Sequence, residues 1–283
     1  MNAPERLAFL PDIQSEADHR GLRIDAVGVS GVRHPLTIQS GGRRVATVAT
    51  LSLTVGLSAP TRGTHMSRFI ESLEAQTAPL HQESFRQFVL DMLGRLEADS
   101  GGVEMRFPYF VRKAAPVSRA HSQLGYEVCW KGRVSEDRYA FWMSVTVPVT
   151  SLCPCSKEIS AYGAHNQRSH ITIRAELKAE MAIEELIAIA EGSASCEVYG
   201  LLKRADEKYV TERAYDNPRF VEDLVRDVAV ALNDEPRVGA YLVEAENFES
   251  IHDHNAFARV IRPHGDLRLR RAGGGADLTG ALE

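Results

Sequence analysis

Residues 145–170, VTVPVTSLCPCSKEISAYGAHNQRSH, lead from a strand-like segment directly into a polar loop. Residues 139–149 alternate apolar and polar side chains, which predicts a half-buried strand that breaks at Pro148 and again at Pro154. The loop carries side chains that can act as nucleophiles or metal ligands, namely Cys153, Cys155, Lys157, Glu158, His165 and His170. Catalytic residues concentrate on loops that a rigid scaffold holds in place. The stretch therefore predicts an active-site loop at the end of a strand.

The composition is that of a soluble globular protein, since 44% of the 283 residues are hydrophobic and 25% are charged. No apolar run approaches the ~18 residues of a membrane span, and residues 1–21 lack the apolar core of a signal peptide. We therefore expect a cytoplasmic protein with no membrane partner. The net charge of −5 argues against a nucleic-acid partner. Four cysteines are too few for a disulfide framework in a chain of this length.

Hydrophobic periodicity predicts the order of the secondary-structure elements. Strands are expected over residues 22–39, 44–57, 103–111, 124–134, 139–149, 170–177, 238–246 and 257–271. Helices are expected over residues 64–75 with Thr64 or Ser67 as the cap, 84–98, 183–191, 206–215, and 218–232 with Pro218 near its first turn. The chain thus reads as strand pair, helix pair, strand pair, and then the same order again.

This order predicts an α+β fold of two tandem modules, each an antiparallel sheet with a helix pair on one face. The first module would span residues 21–134, and the second, residues 135–271, would carry the active-site loop. Residues 1–20 are expected to form a loosely attached arm and residues 272–283 a flexible tail.

Cys153 and His165 are the strongest pair of candidate site residues in the loop. They lie twelve positions apart, and Tyr162-Gly163-Ala164 leaves the chain room to turn back. A thiolate and a neutral imidazole suit zinc or another borderline divalent metal. The spacing alone also fits a cysteine nucleophile or two ordinary buried thiols at Cys153 and Cys155.

Other clusters could complete the site. Residues 249–254, ESIHDH, follow a predicted strand and are either metal ligands or a polar turn. The acids of residues 205–218, ADEKYVTERAYDNP, are mostly a solvated helix face, although one of them could turn inward as an oxygen ligand.

Two further features could bind a nucleotide. A helix start with nearby basic and hydroxyl side chains, formed by Arg62, His65, Ser67 and Arg68, is suited to phosphate, although an ordinary helix start looks the same. The carboxylate of Glu222 could accept from two N–H donors of a guanine-like edge.

The motifs VPVTSLCPCSKEISAYGAHNQRSH, GTHMSRFIESLE, LLKRADEKYVTERAYDNPRFVEDLVRD and ENFESIHDHNAFA resemble those of the type IB GTP cyclohydrolases. The resemblance covers nearly the whole chain apart from its ends. It implies a tunnelling fold assembled as a homotetramer. It also implies conversion of GTP and water to 7,8-dihydroneopterin triphosphate and formate, the first step of tetrahydrofolate biosynthesis. The expected cofactor is a divalent metal, Zn²⁺, Mn²⁺ or Fe²⁺.

The resemblance also assigns roles to individual residues. The metal-site positions match Cys153, His165, Glu207 and His252. Of these, Cys153 and His165 are the expected catalytic residues; His165 is either a ligand or the proton-transfer residue, and Glu249 could replace one ligand. The substrate-binding positions match Glu222 for the purine, and His65, Ser67, Arg68 and Lys157 for the triphosphate.

Two other functions remain open at this point. A 7-deazaguanine nitrile reductase of the same fold would use Cys153 or Cys155 as a nucleophile with a nicotinamide cofactor and no metal. A non-catalytic purine-binding protein would hold a structural metal instead, and removing that metal would unfold it.

Overall fold

The computed structural model describes residues 13–263, and within them nine strands form one antiparallel sheet. The strands are β1 Ile24–Ser40, β2 Arg43–Leu57, β3 Gly101–Ala114, β4 His121–Ser135, β5 Arg138–Leu152, β6 Asn166–Leu177, β7 Cys196–Glu197, β8 Val238–Asn247 and β9 Ala256–Arg262. The helices are α1 Met66–Glu74, α2 Gln82–Arg95, α3 Pro154–Ile159, α4 Ile183–Gly192, α5 Arg204–Asp216 and α6 Val221–Asp234, and a 3-10 turn covers Ile13–Ser15. The order across the sheet is β1-β2-β3-β4-β5-β6-β8-β9, and the short β7 pairs with β5.

One face of the sheet is buried under the helices. Along β5, Met143, Val145 and Val147 are fully buried and alternate with half-buried residues, as expected for a strand with one apolar face. Helix α2 packs on the first half of the sheet, and α4 and α6 pack on the second. This is the α+β arrangement of antiparallel sheet and helix pairs that the sequence predicts.

The core of the first half is centred on Trp130 of β4. Its ring makes edge-to-face contacts with Phe85 of α2, Phe107 of β3 and Phe141 of β5, at centroid distances of 5.7, 5.6 and 5.7 Å. Such contacts add to the free energy of burying the rings. They fix α2 against the middle of the sheet.

The predicted change-over between modules falls in the turn that joins β4 to β5. Ser135 pairs with Arg138, and the two residues between them, Glu136 and Asp137, have φ angles of 51° and 58°. Two positive φ angles in a two-residue loop match the twist of a tight hairpin. The two halves therefore share one continuous sheet across this hairpin.

Two local expectations were wrong. Pro148 does not break β5, which continues to Leu152; pairing with β4 ends at Thr146, so a residue without an N–H is tolerated just beyond it. The N-cap position of α1 is His65, which makes no side-chain cap hydrogen bond, and is neither Thr64 nor Ser67.

The last helix of the described region also differs from expectation. Helix α6 begins at Val221, which leaves Pro218 in the loop before it. Residue Asp223 accepts the backbone N–H of Phe220 at 2.9 Å, and this side-chain cap sets the later start.

The N-terminal segment is attached from Ile13 onward. The Gln14 side chain donates to the Thr64 carbonyl at 2.9 Å, and the Asp18 N–H donates to the Pro60 carbonyl at 2.8 Å. Residues 13–18 are therefore not a loose arm. The remainder of the predicted arm, the predicted tail and the end of the last predicted strand lie outside the described residues.

Within residues 13–263, no helix has the length and apolar character needed to cross a bilayer.

Candidate active site

The candidate site lies where β5 ends at Leu152 and β6 begins at Asn166, a region we call the Cys153 end of the sheet. Leu152 and Asn166 are register partners, so the residues between them form a closed excursion from the sheet. The excursion contains the short helix α3, which the sequence did not predict. Pro154 stands in its first turn, where a missing N–H costs nothing.

Ser156 ties Cys153 to His165. Its N–H donates to Cys153 Sγ at 3.4 Å, and its hydroxyl donates to the Cys153 carbonyl at 3.2 Å. The same hydroxyl accepts the His165 N–H at 3.2 Å, while the Cys153 N–H donates to the His165 carbonyl at 3.1 Å. The main chain thus brings the two predicted site residues together.

The His165 ring connects the loop with the second predicted ligand cluster. Its Nδ1 lies 3.0 Å from Gln167 Oε1 and 3.2 Å from Ser250 Oγ. Ser250 belongs to residues 249–254, so this polar segment folds onto the Cys153 end. Nε2 is the ring nitrogen that neither neighbour engages.

The turn between α5 and α6 reaches the same end of the sheet. The Arg219 N–H donates to the Leu152 carbonyl at 3.0 Å, one residue before Cys153. The Lys157 ammonium donates to the Tyr215 carbonyl and lies 4.3 Å from the centre of the Tyr215 ring. Glu222 is exposed in the first turn of α6, three residues after Arg219. The predicted purine anchor therefore lies at the Cys153 end.

Glu207 and His252 are both exposed. Glu207 projects from the first turn of α5, and its carboxylate has no hydrogen-bond or ion-pair partner within residues 13–263. His252 stacks on His254 with ring centroids 5.0 Å apart. In the part of the chain that the structure describes, no three His, Cys, Asp or Glu side chains gather around one point. The ligand set of Cys153, His165, Glu207 and His252, with half-buried Glu249 as a substitute, stays a prediction.

Asp206, next to Glu207, is a structural residue. Its fully buried carboxylate accepts the N–H groups of Val117 and Ser118, each at 2.8 Å, the Ser118 hydroxyl at 2.6 Å, and the Lys203 N–H at 2.8 Å. Burial alone would raise the pKa of Asp206, but these hydrogen bonds together hold it well below its usual range. The charged carboxylate fixes the start of α5 to the β3–β4 turn.

The predicted triphosphate cluster lies at the opposite end of the sheet. His65 occupies the N-cap position of α1, Ser67 is exposed, and Arg68 Nη1 donates to the Arg95 carbonyl at 3.4 Å at the end of α2. That end of α2 leads into Gly101 at the start of β3, whereas Cys153 follows the end of β5. The 15 residues of β5 span about 50 Å at ~3.3 Å per residue. One chain does not bring the two groups together.

A buried polar chain was missed by sequence reasoning. It comprises Gln167, Ser151, Ser169 and Asn247, of which none is more than 7% exposed. The available signal was periodic: Ser151 continues the inward positions of Val147 and Val149, and Asn247 continues those of Val243 and Ala245. Polar residues at core-facing positions require partners, and these find one another.

His170 is a packed strand residue rather than part of the site. It lies in β6, and its ring packs edge-to-face on that of Phe248, just after β8, with ring centroids 4.8 Å apart. Burial lowers the pKa of His170, and the charge of Arg168 lowers it further, while the charge of Glu246 raises it by less. Burial therefore favours its neutral form.

We expect iodoacetamide to label Cys155 first in the native protein, then Cys153, and to leave Cys129 and Cys196 unmodified. Cys155 is exposed, whereas burial raises the pKa of both Cys129 and Cys196 to about 11, so that little thiolate forms at neutral pH. Peptide mapping over a time course measures the order. The unfolded chain should lose the selectivity, and early labelling of Cys196 in the native protein would contradict the packing described.

Comparison with known proteins matches residues 10–258 to the family model of type I GTP cyclohydrolase folE2. The chain is 56% identical over 267 residues to GTP cyclohydrolase FolE2 1 of Dechloromonas aromatica, covering 92% of this chain and 98% of the relative. It is 57% identical over 263 residues to GTP cyclohydrolase FolE2 of Burkholderia thailandensis, covering 93% and 98%. Among solved structures, uricase from Arthrobacter globiformis is similar over 91% of this chain and 97% of its own, with a TM-score of 0.49 and 10% identity.

Proposed function

Since this chain belongs to the type I GTP cyclohydrolase folE2 family, we propose that it converts GTP and water to 7,8-dihydroneopterin triphosphate and formate. This reaction is the first step of tetrahydrofolate biosynthesis. The observation that carries the proposal is the union of three segments at the Cys153 end: the Cys153–His165 loop, residues 249–254, and the start of α6. The free thiols of its cysteines suit a reducing compartment, so we place the enzyme in the cytoplasm.

The residues at this end fit a divalent metal by the chemistry of their donors. Cys153 offers a sulfur and His165 offers Nε2, and both belong to one tightly bonded loop. Glu207 and His252 would add an oxygen and a second imidazole. Sulfur, nitrogen and oxygen donors together suit Zn²⁺, Mn²⁺ or Fe²⁺, with availability deciding among them. When bound, such a cation acts as a Lewis acid and lowers the pKa of a bound water.

The side chains have separate tasks in the proposed reaction. Water adds to C8 of the guanine, the C8–N9 bond breaks, and a second hydrolysis releases formate. The ribose then rearranges, and ring closure onto the freed amine expels one water and forms the pterin, so that one water is consumed overall. His165 Nε2 either binds the cation or accepts a proton from the water and returns it to the leaving ring nitrogen. Glu222 accepts the N–H donors of the guanine edge and so holds C8 over the Cys153 loop. Lys157, which reaches the last turn of α5 from α3, is suited to a phosphate at the same end.

A second copy of the chain is proposed to supply the remaining phosphate contacts. His65, Ser67 and Arg68 cannot reach the Cys153 end of their own chain, since they lie at the opposite end of the sheet. A homotetramer in which these residues approach a neighbour's Cys153 end would complete the site. Symmetric assembly places the same patch of every copy against the same partner patch.

The oligomer proposal predicts complementation between two inactive variants. Cys153→Ala and Arg68→Glu, each inactive alone, should regain GTP turnover when they are co-expressed and purified together through two different tags. Random pairing in equal amounts would make roughly a quarter of the sites complete. The matched control pairs Cys153→Ala with Glu222→Gln, which lie at the same end and should not complement within a pair of copies. Equal recovery in both mixtures would contradict the shared site.

The function itself is tested by turnover of purified protein that has been stripped of metal and resupplied. Manganese or zinc should restore formate release and the pterin fluorescence that follows oxidation of the product. Metal-independent oxidation of NADPH with a nitrile-bearing 7-deazaguanine would instead identify a nitrile reductase. Unfolding on chelation, with no turnover under any metal, would identify a binding protein with a structural metal.

A further inference from the structure

Gln167, which contacts the His165 ring, begins a chain of hydrogen bonds in which each side chain donates to the next. The Gln167 side-chain NH₂ donates to Ser151 Oγ at 3.1 Å, Ser151 bonds Ser169 at 2.6 Å, and the Ser169 hydroxyl donates to Asn247 Oδ1 at 2.7 Å. Because the Ser169 proton goes to Asn247, the Ser151 proton goes to Ser169. The Gln167 NH₂ is thereby committed to Ser151.

The other end of the Gln167 amide faces His165. With NH₂ committed to Ser151, the carbonyl oxygen Oε1 lies 3.0 Å from His165 Nδ1. A carbonyl oxygen can only accept, so Nδ1 must carry the proton. A neutral imidazole has one proton, and Nε2 is therefore left with its lone pair.

We propose that Gln167 is a positioning residue that holds His165 in the Nδ1–H tautomer, so that Nε2 faces the site as a lone pair ready for a cation or a proton. Both roles of His165 in the proposed function need that lone pair, and the metal-binding part of the inference rests on that function. The assignment of the His165 tautomer does not depend on the proposed function.

The burial of the chain couples the His165 tautomer to the orientation of the two amides at its ends. Ser151 and Ser169 are fully buried, Asn247 is 4% exposed and Gln167 is 7% exposed. Reversing the polarity would require both amides, Gln167 and Asn247, to turn over together, because an unpaired polar group in such a place is costly. The adjacent Ser250 is exposed, and its hydroxyl can either donate or accept, so it does not select a tautomer.

The test is ¹⁵N NMR of the histidine rings in metal-free protein at alkaline pH, where imidazole is neutral. We expect His165 in the wild type to show a protonated Nδ1 and an unprotonated Nε2. Gln167→Met, which fills the space without an acceptor, should shift the ring toward Nε2–H, the form that free imidazole side chains prefer. Gln167→Glu can only accept, so Nδ1 should keep its proton, while the Ser151 hydroxyl turns its own proton from Ser169 to the new carboxylate.

Manganese affinity gives the second readout, followed by the EPR signal of free Mn²⁺. Gln167→Met should weaken binding by about 10- to 100-fold, the usual effect of removing a hydrogen-bond partner of a ligating histidine. Gln167→Glu should stay near the wild type, and Ser250→Ala is the control for a residue that touches the same nitrogen. If Gln167→Met does not fold, Ser151→Ala frees the amide to turn and should give a mixture of tautomers.

Three results would overturn the inference: Nε2–H in the wild type, no change of tautomer or affinity in Gln167→Met, or equal weakening in Gln167→Met and Gln167→Glu, which would indicate packing alone. Failure of the proposed function looks different. In that case GTP is never turned over, while the tautomer still follows residue 167.

Discussion

Replacement of Cys153 by alanine is expected to lower kcat for GTP about a thousandfold or more, since a bound Lewis acid supplies several kcal/mol of transition-state stabilisation and each 1.36 kcal/mol is tenfold in rate. Cys153 offers the one sulfur that the Cys153–His165 loop holds against its own backbone, through the Ser156 N–H at 3.4 Å. Without it the cation would lose a ligand and its position. Turnover of GTP with added manganese, together with metal content, measures the effect.

Cys155→Ala is the matched control. Cys155 is an exposed residue of α3, two positions after the N-cap residue Cys153, so its replacement should leave turnover, metal content and Tm near the wild type. Cys153 is half-buried, and its replacement removes few apolar contacts, so Tm of the metal-free protein should change little as well. Turnover that survives both chelation and Cys153→Ala would refute the metal assignment. Loss of activity with full metal content would favour a nucleophile.

The order of the helices and strands could be predicted because it depends on short-range patterns in the sequence. Alternation along β5, with Met143, Val145 and Val147 inward, and helical spacing of Phe85, Phe88 and Val89 in α2 both follow from short-range periodicity. Tertiary contacts then determine the residues at which each helix and strand begins and ends. Pro148 is tolerated in β5 only because β4 has stopped pairing, a fact about a neighbouring strand.

The site could be predicted in its residues but not in its arrangement. Cys153 and His165 stand out by chemistry, and the loop between them is short enough to bring them together. Gln167 did not stand out, because its role depends on Ser151 and Ser169, which become neighbours only when β5 and β6 pair. The remoteness of Arg68 likewise follows from the strand order, which no local pattern contains.

Glu222→Gln is expected to lower kcat/KM for GTP by about a hundred- to a thousandfold, since hydrogen bonds to a charged group are each worth about 1.5–3 kcal/mol. The guanine edge presents two donors, and a carboxylate accepts both. A glutamine has one acceptor and one NH₂ group, so it would turn a donor toward a donor. The structure places Glu222 exposed at the Cys153 end, without a partner among residues 13–263 that would have to be displaced.

Two comparisons separate a purine contact from a helix effect. An acidic residue in the first turn stabilises a helix by up to ~1 kcal/mol, so a small fall in Tm is expected for Glu222→Gln in any case. Asp234→Asn removes the same charge at the far end of α6 and should leave kinetics unchanged.

A comparison of nucleotides tests the contact with the guanine edge directly. Inosine triphosphate lacks the 2-amino donor, so wild type should strongly prefer GTP over it as a ligand, whereas Glu222→Gln should discriminate poorly. An unchanged preference in the variant would remove Glu222 from the purine site and leave it as a helix-capping acid.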